Sequence, residues 1–100
     1  MNVIDMEQRA DEVAALMKSL SHRTRLMILC QLVDGEKAVG ELATLLDQAQ
    51  PSISQQLALL RREGLVHTRR DGQSVYYSLP RGRVSRLVGF LYRTFCEGAD

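Results

Sequence analysis

Met6, Ala10, Val13, Leu16, Met17 and Leu20 recur at spacings of three and four residues. That spacing places them on one stripe of an amphipathic helix, expected over about residues 4–19. Ser21 stands where it can cap a second helix, in which Leu26-Met27-Ile28-Leu29-Cys30, Leu32 and Val33 are apolar nearly all round. A helix without a polar face belongs at the centre of a fold, and Asp34-Gly35 is its stop signal.

Leu42, Leu45 and Leu46 mark a short third helix over about 38–46. Asp47-Gln48-Ala49 then reads as a turn. Pro51 follows, suited to the first turn of a helix because its missing N–H has no helical partner there. In this fourth helix Ile53, Leu57 and Leu60 share a face, Gly64 is the stop, and Leu65 turns back to the core. Two short helices joined by a three-residue turn, together about 38–63, make a helix-turn-helix.

After Gly64 the period shortens. Val66 to Arg70 and Gln73 to Leu79 are rich in Val, Thr and Tyr. Asp71-Gly72 between them reads as a two-residue hairpin turn, with glycine supplying the positive φ of a type I′ turn. Val75, Tyr77 and Leu79 alternate with Ser74, Tyr76 and Ser78, giving the second strand two distinct faces. The hairpin, over about 66–79, is a candidate wing. Pro80 breaks the strand, and Val84, Leu87, Val88, Leu91 and Phe95 define a final amphipathic helix over about 81–96. The expected fold is mainly α: one winged helix-turn-helix domain over residues 1–100, in the order ααααββα, with room for a short extra strand near residue 37.

One hundred residues fit a single domain with a thin core. Hydrophobic side chains at 45% and charged ones at 25% argue against disorder. No run approaches the ~18 apolar residues of a membrane span, and the acidic N-terminal segment is unlike a signal peptide, so a soluble, cytoplasmic protein is expected. The net charge of +1 hides an asymmetry. Residues 1–47 carry five basic and eight acidic side chains, a balance of −3, while residues 48–100 carry eight and four, a balance of +4. Arg61, Arg62, Arg69, Arg70, Arg81, Arg83 and Arg86 all fall in the second part, which suits a polyanionic partner.

The fourth helix has the division of labour that reading double-stranded DNA requires. Its apolar stripe can hold it to the core while uncharged hydrogen-bonding groups face base edges in the major groove. Gln50, Ser52, Ser54, Gln55 and Gln56 lie off that stripe. Ser54, Gln55 and Gln56 are the candidates for bases, with Gln50 and Ser52 nearer phosphate. Arg69 and Arg70 flank the hairpin tip, where a wing reaches phosphates or the adjoining minor groove.

Over nearly the whole chain these segments resemble the ArsR family of dimeric winged-helix repressors. Leu20-Ser21-His22-Arg23-Thr24-Arg25-Leu26 is similar to the start of its second helix. Ser54-Gln55-Gln56-Leu57 resembles its recognition helix, and Arg61-Arg62-Glu63-Gly64-Leu65-Val66 its approach to the wing. Gln56 stands where the family usually has His, and Ala49 where a capping Ser is common. The resemblance implies a homodimer built by the first and last helices, bound to an operator with inverted half-sites.

Many members sense metals through paired cysteines at the third helix or Asp and His on the last. Here Ala38-Val39-Gly40-Glu41-Leu42 has no thiol, residues 81–96 have no His, and His22 and His67 are isolated, so no metal site or cofactor is expected. Instead Cys30 lies in the second helix and Cys96 ends the last, a placement similar to that of the persulfide- and polysulfide-sensing branch of the family. That likeness implies a dithiol switch in which reactive sulfur species bridge Cys30 and Cys96 and change DNA affinity. On its own chemistry Cys30 fits a core position equally well, since free Cys packs as a small hydrophobe.

Two other readings remain open on sequence: a metal- or arsenite-responsive repressor of the same fold, and a winged-helix protein-interaction module without a DNA target. An enzyme is not expected, because the chain has no Gly-rich phosphate loop and no nucleophile motif around Cys30.

Overall fold

The structure, a computed structural model, describes residues 1–97; residues 98–100, the end of the expected domain, lie outside the described residues. Five helices and a small three-stranded sheet follow one another in chain order: α1 (Val3–Leu20), α2 (Arg23–Leu32), β1 (Lys37–Ala38), α3 (Val39–Leu46), α4 (Gln50–Arg62), β2 (His67–Asp71), β3 (Ser74–Ser78) and α5 (Arg83–Cys96). This is the winged helix-turn-helix expected from the sequence, with the extra strand realised as β1.

The core forms where the apolar stripes meet. Ile28 and Leu29 of α2, Leu42 of α3, Ile53, Leu57 and Leu60 of α4 and Val88 of α5 are all fully buried. Leu32, Leu65 and Val66 join them, and Tyr77 and Leu79 from the wing pack against the cluster. α2 is central as its composition required, touching α1, α3, α4 and α5. α1 behaves differently. Only its last two residues, Ser19 and Leu20, are buried, while Val3, Ile4, Met6 and Met17 stand exposed. α5 likewise exposes Phe90, Tyr92 and Phe95. No helix among the described residues is long and apolar enough to cross a membrane.

Helix ends follow local chemistry with one correction. Asn2 caps α1, its Oδ1 accepting from the Ile4 N–H at 2.9 Å. Ser21 does not cap α2; its hydroxyl donates back to the Lys18 carbonyl at 2.7 Å and closes α1, leaving His22 at the start of α2 with no side-chain cap. A hydroxyl between two helices can serve either end, and here the unpaired carbonyls of α1 claim it. Glu41 in the first turn of α3 accepts from the Ala38 N–H at 3.1 Å.

The sheet order is β1-β3-β2, antiparallel throughout. The hairpin turn lies one residue later than the sequence reading placed it. Asp71 pairs with Ser74, so the two turn residues are Gly72 and Gln73. Gly72 has φ +63° and Gln73 is not in the positive-φ region, the signature of a type II′ rather than a type I′ turn. Asp71 tolerates the strand's extended backbone, which leaves the one positive φ to glycine.

Candidate nucleic-acid interface and thiol pair

α4 is held from beneath by Ile53, Leu57 and Leu60, each 0% exposed. The turn that delivers it is tight: Asp47 takes a left-handed conformation (φ 53°, ψ 50°) and its N–H returns to the Ala43 and Thr44 carbonyls. Gln48 crosses to α2, donating to the Thr24 hydroxyl at 3.2 Å, and Pro51 occupies the first turn as expected.

On this frame Ser52, Ser54 and Gln55 are exposed along α4 and their side chains have no hydrogen-bond partner among the described residues. Gln50 is exposed too, yet its amide nitrogen lies over α3, 3.2 Å from where a Cβ on Gly40 would stand. Gln56 is different again. It is half-buried, and its Oε1 accepts from Arg25 Nε of α2 at 3.0 Å. Arg25 in turn donates to Glu63 Oε2 at 3.2 Å, and Glu63 Oε1 accepts from the Ser19 hydroxyl at 2.6 Å. A continuous polar chain therefore runs from the end of α1 through α2 to the recognition-type helix.

The wing separates two arginines that the sequence groups together. Alternation along β2 sends their side chains to opposite faces. Arg69 sits over the Tyr76 ring, 4.8 Å from its centroid, and is paired bidentately with Glu36, Nε to Oε2 at 3.1 Å. Asp71 adds a carboxylate at 3.9 Å. The hydrogen bond and charge of Arg69 hold the Glu36 carboxyl below its ordinary range, and Glu36 in turn raises the Arg69 guanidinium. Arg70 is exposed, pairs across the ladder with Val75 and has no ion-pair partner among the described residues. Of the two, Arg70 is the unpaired cation.

Cys30 is half-buried against the core and Cys96 is exposed at the end of α5; both are free thiols. Packing of α5 on α2 brings these positions, remote in sequence, into electrostatic reach. Burial pushes the Cys30 thiol above its ordinary value, and the charge of Cys96 pushes it further. No group of three or more His, Cys, Asp or Glu side chains able to hold a metal occurs among the described residues.

Arg25, Glu63, Ser19 and Glu36 were not singled out from the sequence. Their partners lie 31 to 44 positions away, so no local spacing announces them. Arg25 falls inside a segment that carries family resemblance, the only signal that marked its neighbourhood.

Comparison with known proteins places this geometry among regulators. Residues 22–68 match the model of the bacterial regulatory protein arsR family. The biofilm growth-associated repressor of Xylella fastidiosa is 50% identical over 92 residues, 92% of this chain and 81% of that protein. The crystal structure of the transcriptional repressor BigR from the same organism superposes with a TM-score of 0.89 at 49% identity, covering 96% of this chain and 98% of the other. Reduced HlyU from Vibrio cholerae gives 0.86 at 41% identity, with 92% and 97% covered. The homodimeric winged helix-turn-helix DNA-binding domain of a possible ArsR-family regulator from Mycobacterium bovis gives 0.78 at 33%, with 95% and 89% covered.

Proposed function

The chain belongs to the arsR family of bacterial regulatory proteins, and from that premise we propose that it is a homodimeric repressor whose hold on an inverted-repeat operator is switched at the Cys30–Cys96 dithiol. The observation that carries the DNA-reading half is α4 itself: three fully buried apolar residues fix it while Ser52, Ser54 and Gln55 stay exposed and unpartnered. In this reading Ser54, Gln55 and Gln56 meet base edges, Gln50 and Ser52 lie nearer phosphate, and Arg70, with Arg69 behind it, serves the wing. The exposed apolar side chains of α1 and α5 support dimerisation, since a helix with this much unburied apolar surface gains by pairing with a second copy.

The switch half rests on the packing of α5 against α2, the two helices that carry the thiols. Cys30, held protonated by burial and by Cys96, is a poor first nucleophile; Cys96 is the accessible one. The Cys96 thiolate attacks the sulfane sulfur of an inorganic polysulfide, gaining one sulfur as a persulfide and releasing a polysulfide one atom shorter. The Cys30 thiolate then attacks Cys96 Sγ and expels hydrosulfide, leaving a Cys30–Cys96 disulfide. The two thiols lose two electrons and the sulfane sulfur gains them. Bridging α2 to α5 alters the α5 surface assigned here to the dimer, and with it the spacing of the two α4 helices.

The test is operator binding by reduced protein, repeated after polysulfide, disulfide stress and metal ions, with Cys30→Ser and Cys96→Ser alongside. Polysulfide is expected to weaken binding at least fivefold, the low end of typical allosteric coupling, in the wild type and in neither variant. Mass spectrometry distinguishes a disulfide from a longer sulfur bridge. An unchanged wild type, or variants that still respond, overturns the switch; absence of sequence-selective DNA binding overturns the reader.

A further inference from the structure

The amide of Gln56 is not free to choose its orientation. A guanidinium carries five donors and no acceptor, so the atom of Gln56 that meets Arg25 Nε at 3.0 Å must be the carbonyl oxygen. Turning the amide over would set N–H against N–H. Arg25 is itself fixed from the other side by Glu63 at 3.2 Å, which Ser19 anchors at 2.6 Å, and its side chain is only 19% exposed. The NH₂ group of Gln56 has no hydrogen-bond partner among the described residues. None of their buried side-chain nitrogens or oxygens is left unpaired, so this group is open to solvent.

An unrestrained Gln on a recognition helix pairs bidentately with adenine, its oxygen accepting from N6 and its nitrogen donating to N7. We propose that Arg25 is a positioning residue for base recognition, turning the Gln56 oxygen back toward α2 so that Gln56 offers DNA a donor alone. A donor-only side chain meets two adjacent acceptors, N7 and O6, on guanine, but on adenine only N7, beside an N6 amino group that it cannot satisfy. The Gln56 position therefore selects guanine over adenine. This rests on the DNA-reading role of α4 proposed above.

The experiment is selection from a library of randomised half-sites by the full chain as wild type, Gln56→Ala, Arg25→Met, Arg25→Lys and Gln56→Glu. The wild type is expected to prefer guanine over adenine at one position per half-site, and Gln56→Ala to erase the preference there, which identifies the position. Arg25→Met frees the amide, so the guanine-to-adenine ratio at that position falls by roughly fivefold or more, the low end of a good base contact. Other positions stay unchanged, and Arg25→Lys, which keeps a donor toward Oε1, retains the preference.

Should Arg25→Met fail to fold by circular dichroism, Gln56→Glu carries the test. It preserves the tie to Arg25 but offers no donor, and must lose the guanine preference. The proposal is overturned if the Gln56-dependent position selects adenine in the wild type, if Arg25→Met weakens every sequence by one factor, if Gln56→Ala changes no position, or if Gln56→Glu still selects guanine. A wild type that selects no sequence at all overturns the DNA reading and this proposal together, a result distinct from each of those.

Discussion

The charge of Cys96, at the end of α5, reaches Cys30 on α2 and helps to hold that thiol in its protonated form. Burial is the larger cause, so the two thiols are chemically unequal. Alkylation followed by mass spectrometry across pH is expected to label Cys96 first and Cys30 only above the ordinary thiol range. In Cys96→Ser the charge repulsion is gone, and the Cys30 profile moves to lower pH without losing the effect of burial. The neutral thiol favours the folded state, so its contribution to stability is complete below the ordinary thiol value and is lost as pH climbs through the raised one.

On the proposed DNA-reading role, Arg69 and Arg70 are expected to make unequal contributions to salt dependence. Each phosphate neutralised adds about one unit to the log–log slope of affinity against salt. Arg70→Ala is expected to flatten the slope by about that amount, and Arg69→Ala by less, because Glu36 already offsets its charge. Glu36→Gln releases Arg69 and steepens the slope. Since Arg69 lowers the Glu36 pKa, the pair's contribution is present above the ordinary carboxylate range and is lost as pH falls through the lowered value. Salt titrations of operator binding read all three variants.

Leu57 is fully buried between the recognition-type helix and the core. Leu57→Ala removes that packing and leaves a cavity, a change expected to cost about 2–5 kcal/mol. Against the roughly 5–15 kcal/mol total of a typical domain this is severe. Urea unfolding followed by circular dichroism is the measurement, with Ser54→Ala, exposed on the same helix, expected within about 0.5 kcal/mol of wild type.

Phe90 is 56% exposed on α5, although its residue type favours burial. If α1 and α5 form the dimer, Phe90→Glu places a charge in an apolar contact and shifts the protein toward single chains. Sedimentation across a concentration series is expected to show dimer for the wild type and monomer for the variant at matched concentration.

What the sequence made legible was whatever repeats over a short distance. The stripe Ile53-Leu57-Leu60 located α4, and Pro51 its first turn. Ser21 satisfies the local pattern of either helix that flanks it, and only the assembled backbone decides that its hydroxyl closes α1. The hairpin slipped by one residue for a similar reason: Asp71-Gly72 and Gly72-Gln73 both offer a glycine, and cross-strand register settles the choice. Arg25 with Gln56 and Glu36 with Arg69 were illegible because their meeting depends on how α2 crosses α4 and how β1 meets the wing.

β1 is two residues long, yet Ala38 both pairs with Tyr76 of β3 and stands immediately before the first residue of α3. No slack separates the hairpin from the helix-turn-helix. Through Ala38 the hairpin is tied to the first residue of α3, so a shift of the wing is expected to pass to the helix-turn-helix, and lengthening the chain between Ala38 and Val39 to uncouple them.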